Sequence, residues 1–196
     1  ELVARVRSMI KIKRLRDELD TSESIIVSMV EALESKDPRA TGHSQRVAAL
    51  AIQLARSLDL GEEQVEVLAK AAILHDIGKI GLPVTLLEAA DHLSAEQLGE
   101  YQRHPVLGER ILAPFLSFSR VRTLVRHHHE RLDGSGYPDG LRGSELGLET
   151  EILSLANLYD QLSSHGGTHA AAAAALGGLA LRGAYHRDLV ERLLAL

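Results

Sequence analysis

The 196-residue sequence predicts an all-α domain, and three observations carry the prediction. Apolar residues recur at three- and four-residue steps, the period of a helix with one buried face. Aromatic residues make up only 3% of the chain and Trp is absent, so the core must come from Leu, Val, Ile and Ala. No segment alternates like a half-buried strand, and no repeat is visible. The length fits one core-forming domain with a short appendage, not two full enzymatic domains.

The elements follow in order. Residues 1–20 are amphipathic and rich in Lys and Arg. Ile12, Leu15, Leu19, Ile26, Met29 and Leu33 step by three and four, with Ser22 at the missing position, which makes a short heptad seam. Asp20 and Glu23 fit a capping box and predict a break there. Two ordinary surface helices satisfy this pattern, and so does a helical connector that also supports a homodimer. The division is therefore a linker helix over 1–22 and a globular domain over 23–196.

Residues 37–42 read as a loop ending in a Thr41 cap. The next helix aligns His43, Val47, Leu50 and Leu54 on one face, and a helix near 62–77 aligns Val65, Leu68, Ala72 and His75. Gly78 and Gly81-Leu82-Pro83 end it. Short helices follow near 94–102 and 105–113, and another over 118–131 turns Val121, Leu124 or Val125, and His128 or His129 inward. Residues 133–140 are dense in turn formers and predict an exposed loop. A helix near 147–163 is apolar almost all round and should be buried, and the Ala-rich run 169–176 is helical by propensity.

Composition bounds the chemistry. A net charge of −5 argues against a broad DNA- or RNA-binding surface. Cysteine is absent, so disulfides and thiolate ligands are excluded, and a metal must be held by His, Asp, Glu or Asn. That donor set favours iron, manganese or zinc. No apolar run approaches the ~18 residues of a membrane span and no signal peptide is visible, so a cytoplasmic chain without membrane contact is expected. The sequence opens on Glu1, which reads as a fragment of a longer protein.

Ten histidines matter less than where they stand. His43 and His75 occupy core positions of two separate helices, and buried imidazoles need partners. A shared metal satisfies several at once. In the pair His75-Asp76, adjacent side chains on a helix diverge by roughly 100°. The imidazole can then serve one metal while the carboxylate reaches between two. His128 and His129 add two imidazoles, and His104 stands just before Pro105.

Five blocks together resemble the HD-GYP family, a branch of the HD phosphohydrolases, and they span about residues 25–163. They are Gly42-His43-Ser44-Gln45-Arg46-Val47, His75-Asp76-Ile77-Gly78-Lys79-Ile80-Gly81, His104-Pro105 with Gly108, His128-His129-Glu130 with residues 133–138, and Ala156-Asn157-Leu158-Tyr159-Asp160. The resemblance implies a helical HD-type bundle with a buried two-metal centre, preceded by the linker helix. His43, His75, Asp76 and Asn157 would hold one metal. Asp76, His104, His128 and His129 would hold the other, with Asp76 bridging as a catalytic residue. Lys79 would approach a substrate phosphate, and the loop with Gly136, Tyr137 and Pro138 would admit substrate or meet a partner such as a diguanylate cyclase domain. Residues 1–20 also resemble the last helix of a response-regulator receiver domain running into a linker.

Three departures stand out. Asn157 replaces the family's Asp and is a neutral, poorer donor to a hard cation. Arg39 stands where members with a third metal carry Glu, which limits the expected number to two divalent ions. The family's Arg-Pro-Tyr element is missing: Gly166 and His169 occupy the places of its two phosphate-gripping cations, and no Lys or Arg appears until Arg182. His165, His169, His92, His127 and His186 read as ordinary surface histidines. Two functions therefore compete. One is a metal-dependent cyclic di-GMP phosphodiesterase serving as the output module of a two-component regulator. The other is a degenerate domain that binds a nucleotide or protein with little or no turnover. A phosphohydrolase acting on another phosphate ester is a third, lesser reading.

Overall fold

The helical period of the sequence is realised along the chain. In the computed structural model the described residues form ten α-helices and three short 3₁₀ turns, with no strand. The structure describes residues 2–35, 41–89, 92–164 and 167–196, apart from the side chains of residues 2–4, 6–8 and 15–22. Arg39, His165 and Gly166 lie outside the described residues.

Helix α1 spans Leu2–Glu34 without interruption, so the break expected at Asp20 does not occur. The segment contains neither Gly nor Pro, and a polar residue inside a helix costs only a few tenths of a kcal/mol. Its last third docks on the domain. Ile26 and Val30 are buried, while Ile12 and Met29 of the heptad seam are 61% and 51% exposed. Glu34, itself buried, accepts from the backbone N–H of Ser44 at 2.8 Å and from its hydroxyl, and Lys70 pairs with Glu23 at 3.1 Å.

Helices α2 (His43–Ser57), α3 (Glu62–Leu74), α7 (Val121–His127) and α8 (Leu148–Ser164) build the centre. Small side chains line the seam: Ala48, Ala51 and Ala55 on α2 and Ala71 and Ala72 on α3 are all buried, and the two helices pack closely. Leu54, Leu68, Leu74, Ile152 and Leu155 fill the remaining space at 1% exposure or less. Each contributes about 1.5–3 kcal/mol through burial. The predicted stripes on α2 and α3 face this core, and α8 is buried along residues 150–157.

Helices α4 (Val84–Glu88), α5 (Ala95–Tyr101) and α6 (His104–Leu112) lie between α3 and α7 in the chain; α9 (His169–Leu181) and α10 (Arg187–Leu194) close it. Of these, α4 and α10 are not anticipated by the sequence. Leu189, Val190 and Leu193 of α10 are buried in the common core.

Three boundaries differ from expectation. Helix α2 is capped by Gly42 at φ 70° rather than by Thr41; glycine adopts that left-handed conformation without the cost a Cβ would bring. Helix α7 ends at His127 instead of 131, because the chain turns there and His129 pairs with Tyr137 in an isolated β-bridge. The loop after it is not freely exposed either. Gly136, Tyr137 and Pro138 are half-buried, and only Ser135 and Asp139 stand out within 133–140.

Candidate metal centre

Four helix ends deliver four histidines to one point. His43 opens α2, His75 follows the last residue of α3, His104 opens α6 and His128 follows the last residue of α7. Asp76 then leads into a 3₁₀ turn over Ile77–Gly81. That turn lies almost against the α6 backbone: a Cβ on Gly78 would overlap the His104 carbonyl. Glycine at 78 is what lets His75-Asp76 approach His104 so closely.

The side chains fall into two sets, His43–His75–Asp76 and His104–His128–His129, and within each set the ligand atoms lie within 4.8 Å of one another. Asp76 stands between them. Its Oδ2 is 3.4 Å from His75 Nε2, and its Oδ1 is 3.3 Å from His104 Nε2 and 4.0 Å from His128 Nε2. Across the sets, the His75 and His128 rings are 4.9 Å apart.

The tautomers follow from the outer partners. Nδ1–H of His75 donates to the Ala72 carbonyl at 2.8 Å, that of His104 to Tyr101 at 2.9 Å and that of His128 to Val125 at 2.7 Å. His43 Nδ1–H donates to the Asp160 carboxylate at 2.7 Å. Each Nε2 is then left to point inward. Burial pushes the His104 pKa down to about 4, and burial together with the neighbouring histidines holds His128 and His129 well below the usual histidine range. Neutral rings with Nδ1 protonated present lone pairs at Nε2. His104 and His128 Nε2 nevertheless stand 3.3 Å apart, and His43 and His75 Nε2 stand 3.2 Å apart. Lone pairs facing at that distance repel, and a divalent cation between them and Asp76 turns the repulsion into ligation. The donor set therefore fits metal.

Asp76 is built to stay ionised. Burial opposes its charge, but Lys79 and then His75 outweigh it and hold the carboxyl well below its usual range. Lys79 Nζ sits 2.5 Å from Asp76 Oδ2 and 5.6 Å over the Tyr101 ring.

Comparison with known proteins follows this geometry. The profile of the HD domain family matches residues 28–188. The chain belongs to the HD domain family. Among curated relatives, this HD domain is 37% identical over 138 residues to the cyclic di-GMP phosphodiesterase response regulator RpfG of Xanthomonas campestris, covering 69% of this chain and 36% of that protein. It is 35% identical over 142 residues to the 3'3'-cGAMP-specific phosphodiesterase 3 of Vibrio cholerae, covering 72% of this chain and 31% of that one. The chain thus spans about a third of the length of these relatives. Among solved structures, an HDG"Y"P protein from Bdellovibrio bacteriovorus matches with a TM-score of 0.68 at 23% identity, over 91% of this chain and 63% of that one. At that identity the likeness shows the fold.

Around the centre of this HD domain, several side chains have functions that motif reading left unassigned. Asp160 accepts from His43 and, through both oxygens, from Arg46 at 2.7 and 3.0 Å, so a carboxylate and a guanidinium orient the first imidazole. Burial opposes the charge on Asp160, but these bonds bring its pKa down to about 2. The signal was present: Arg46 lies three residues after His43, and Asp160 three after Asn157. Glu130 is fully buried and accepts from the backbone N–H groups of Asp139, Gly140 and Leu141 at 2.6, 3.0 and 3.0 Å. It staples the loop whose Tyr137 ring stacks on His129 at 4.5 Å. A Cβ on Gly136 would overlap the Glu130 backbone, so only glycine fits under that loop.

The remaining candidates separate cleanly. Asn157 is buried on α8, and its Oδ1 accepts from Gln161 Nε2 at 3.1 Å. It borders, with His129, a cleft of about 280 Å³ beside the centre. His169, on one of the two positions of the missing cations, is exposed and bonds the Tyr159 hydroxyl at 2.8 Å. His127 bonds Asp139 at 2.9 Å, and His186 donates to the buried Glu151 at 2.8 Å. His92 is exposed. None of these four joins either ligand set.

Proposed function

We propose that this HD domain is a metal-dependent cyclic-dinucleotide phosphodiesterase of the HD-GYP branch, with cyclic di-GMP as substrate. The observation that carries the reading is the pair of imidazole sets facing each other across one carboxylate. In this assignment His43, His75, Asp76 and Asn157 would hold one iron, manganese or zinc ion, and Asp76, His104, His128 and His129 would hold a second. Two such ions would supply a deprotonated water and neutralise charge developing on phosphorus. The chain's own part is to orient and exclude. The Nδ1 partners fix each imidazole, Lys79 swings from Asp76 toward a phosphate oxygen, and Tyr137 packs one wall of the site over His129. The named activities of the relatives support this reading.

The same reading assigns residues 1–22 to a linker from an upstream receiver domain and the exposed Ile12 and Met29 of α1 to a homodimer seam. The loop at Gly136, Tyr137 and Pro138 would be the contact for a diguanylate cyclase domain. No described helix is long and apolar enough to cross a membrane.

A binding module with little turnover is the second reading. The observation favouring it is Asn157, whose carbonyl oxygen is taken up by Gln161, together with the lack of Lys and Arg over residues 163–181. One experiment separates the two. The purified protein is loaded with iron, manganese or zinc, its metal content is measured, and product is followed from cyclic di-GMP and from 3'3'-cGAMP. Linear dinucleotide or GMP formed only with metal supports the enzyme. Full occupancy without product from either substrate supports the binding module.

A further inference from the structure

The cleft beside the metal centre has its own cation. His129, Asn157, Gln102, Gln161 and Tyr137 line it, and so does Arg131, two residues beyond His129. Arg131 is the one Lys or Arg among the described lining residues. Among the described residues its guanidinium makes no ion pair with a carboxylate. Asp133 is close enough to feel its charge, but Asp133 Oδ1 accepts from the Ser135 N–H at 2.9 Å. The Tyr185 hydroxyl is a hydrogen-bond partner of Arg131, and the Tyr137 hydroxyl feels its charge; both are neutral phenols.

A half-buried arginine that lines a cleft and has only phenols as hydrogen-bonding company is set up for an external anion, and its planar fork matches phosphate oxygens. Lys79, beside Asp76 at 2.5 Å, is assigned above to the reacting phosphate, and Arg46 is held by Asp160 at 2.7 Å. A cyclic dinucleotide carries two phosphodiester groups. When one lies on the metal centre, the other still needs a positive partner within the length of the ring, and the cleft that Arg131 lines is also lined by His129 of the second imidazole set.

We infer that Arg131 grips the second, non-reacting phosphodiester of a cyclic dinucleotide, from the loop side of the site, in place of the cations missing at positions 166 and 169. This rests on the phosphodiesterase reading above and adds to it the residue that binds the distal phosphate.

The test is calorimetric binding of cyclic di-GMP and 3'3'-cGAMP to metal-free and metal-loaded protein, for wild type, Arg131→Gln and Arg131→Lys. Steady-state kinetics and metal content are measured on the same preparations. Arg131→Gln should weaken binding about 10- to 100-fold in both metal states, as expected for a lost charged hydrogen bond. The loss should appear in KM more than in kcat, with metal content unchanged, and Arg131→Lys should recover part of it. Wild-type turnover with Arg131→Gln and Arg131→Lys both binding within twofold of wild type overturns the assignment of Arg131 and leaves the phosphodiesterase reading standing. Equal loss in both variants accompanied by lower metal content shows a structural role toward the Tyr137 loop and also overturns it. Absence of any cyclic-dinucleotide binding by the wild type overturns both.

Discussion

His104 Nε2 and His128 Nε2 point at each other across 3.3 Å while both Nδ1–H groups donate outward to main-chain carbonyls. Neither ring has a proton to place between them. Protonation is an uphill remedy, because burial brings His104 down to about 4 and holds His128 lower than its usual range. The packing of α6 against α7 holds the two nitrogens at a spacing that a shared divalent cation would satisfy.

Removal of metal should therefore destabilise the domain. A ligand present at about a hundredfold its Kd stabilises by about 2.7 kcal/mol, which for a domain of this size corresponds to roughly 5–10 °C in melting temperature. Chelation should lower the melting temperature by that amount, and added metal should restore it. Asp76→Ala should empty both sites, since its two oxygens face different imidazole sets, whereas His128→Ala should empty mainly one. Metal analysis reads both variants, and full metal content in Asp76→Ala would sink the bridging assignment.

Glu130 offers a second test, remote from the ligand atoms. Three backbone N–H groups converge on its two oxygens, and the side chain is fully buried. Glutamine keeps one acceptor oxygen and points an NH₂ group at the remaining donors. The loss of charge-assisted bonds should cost about 3 kcal/mol. Hydrogen exchange at the amides of residues 139–141 should accelerate in Glu130→Gln, and the Tyr137 ring should leave His129. Unchanged protection at those amides would show that the loop is held by other contacts.

A third test concerns pH. The Glu151 carboxylate, buried on α8, accepts from His186 Nδ1–H at 2.8 Å and from the His186 backbone N–H at 2.7 Å. The bond to Glu151 raises the His186 pKa even though partial burial opposes it. A raised pKa means that the stabilisation is complete below the unfolded value near 6.5 and is lost as pH rises through the folded value. The side chain is 64% exposed, so solvent screens most of the effect. The melting temperature of wild type minus that of His186→Ala should be about 1–3 °C larger at pH 6 than at pH 9. A difference that is flat across this range, or larger at pH 9, would contradict the ion pair.

Much of this was legible because helices advertise their buried faces. Val47 and Leu54 point to the core with His43, and Leu68 and Ala72 with His75, by spacing alone. The sequence motifs single out seven candidate ligands, and six of them, Asn157 excepted, stand in the two clusters. What stayed hidden depends on partners distant in the chain. Glu130 binds amides of a loop, and Asp160 reaches residues 114 and 117 positions away. Nothing near Glu130 announces its partners, and for Asp160 the only signal is its place three residues after Asn157, with Arg46 three after His43. Helix α10 escaped because its buried stripe is only Leu189, Val190 and Leu193, too short to show a period. The false break in α1 arose from an Asp-Glu spacing that fits a cap, where uninterrupted helix-compatible residues prevail.

Asn157 is where the enzyme and the binding module part. The side chain is 2% exposed, its Oδ1 faces Gln161, and its neighbours in the cleft include His129 and Arg131. Asp is nearly isosteric, so Asn157→Asp should leave the packing of α8 intact and add one buried charge. Without metal that charge is costly, and the melting temperature should fall below that of metal-free wild type. With metal the sign should invert if residue 157 faces the His43–His75 site. An anionic oxygen holds a hard cation better than an amide, and affinity should rise by roughly tenfold. Titration of metal-free wild type and Asn157→Asp with manganese, read by calorimetry and by melting temperature, measures both signs. A rise in affinity with a rise in cyclic di-GMP hydrolysis marks an enzyme weakened at its first site. A rise in affinity without turnover marks a centre short of phosphate-binding cations, and Gly166→Arg should then be needed as well. Lower affinity together with lower stability in both metal states would show that the side chain at 157 faces no metal, and its assignment as a ligand would be withdrawn.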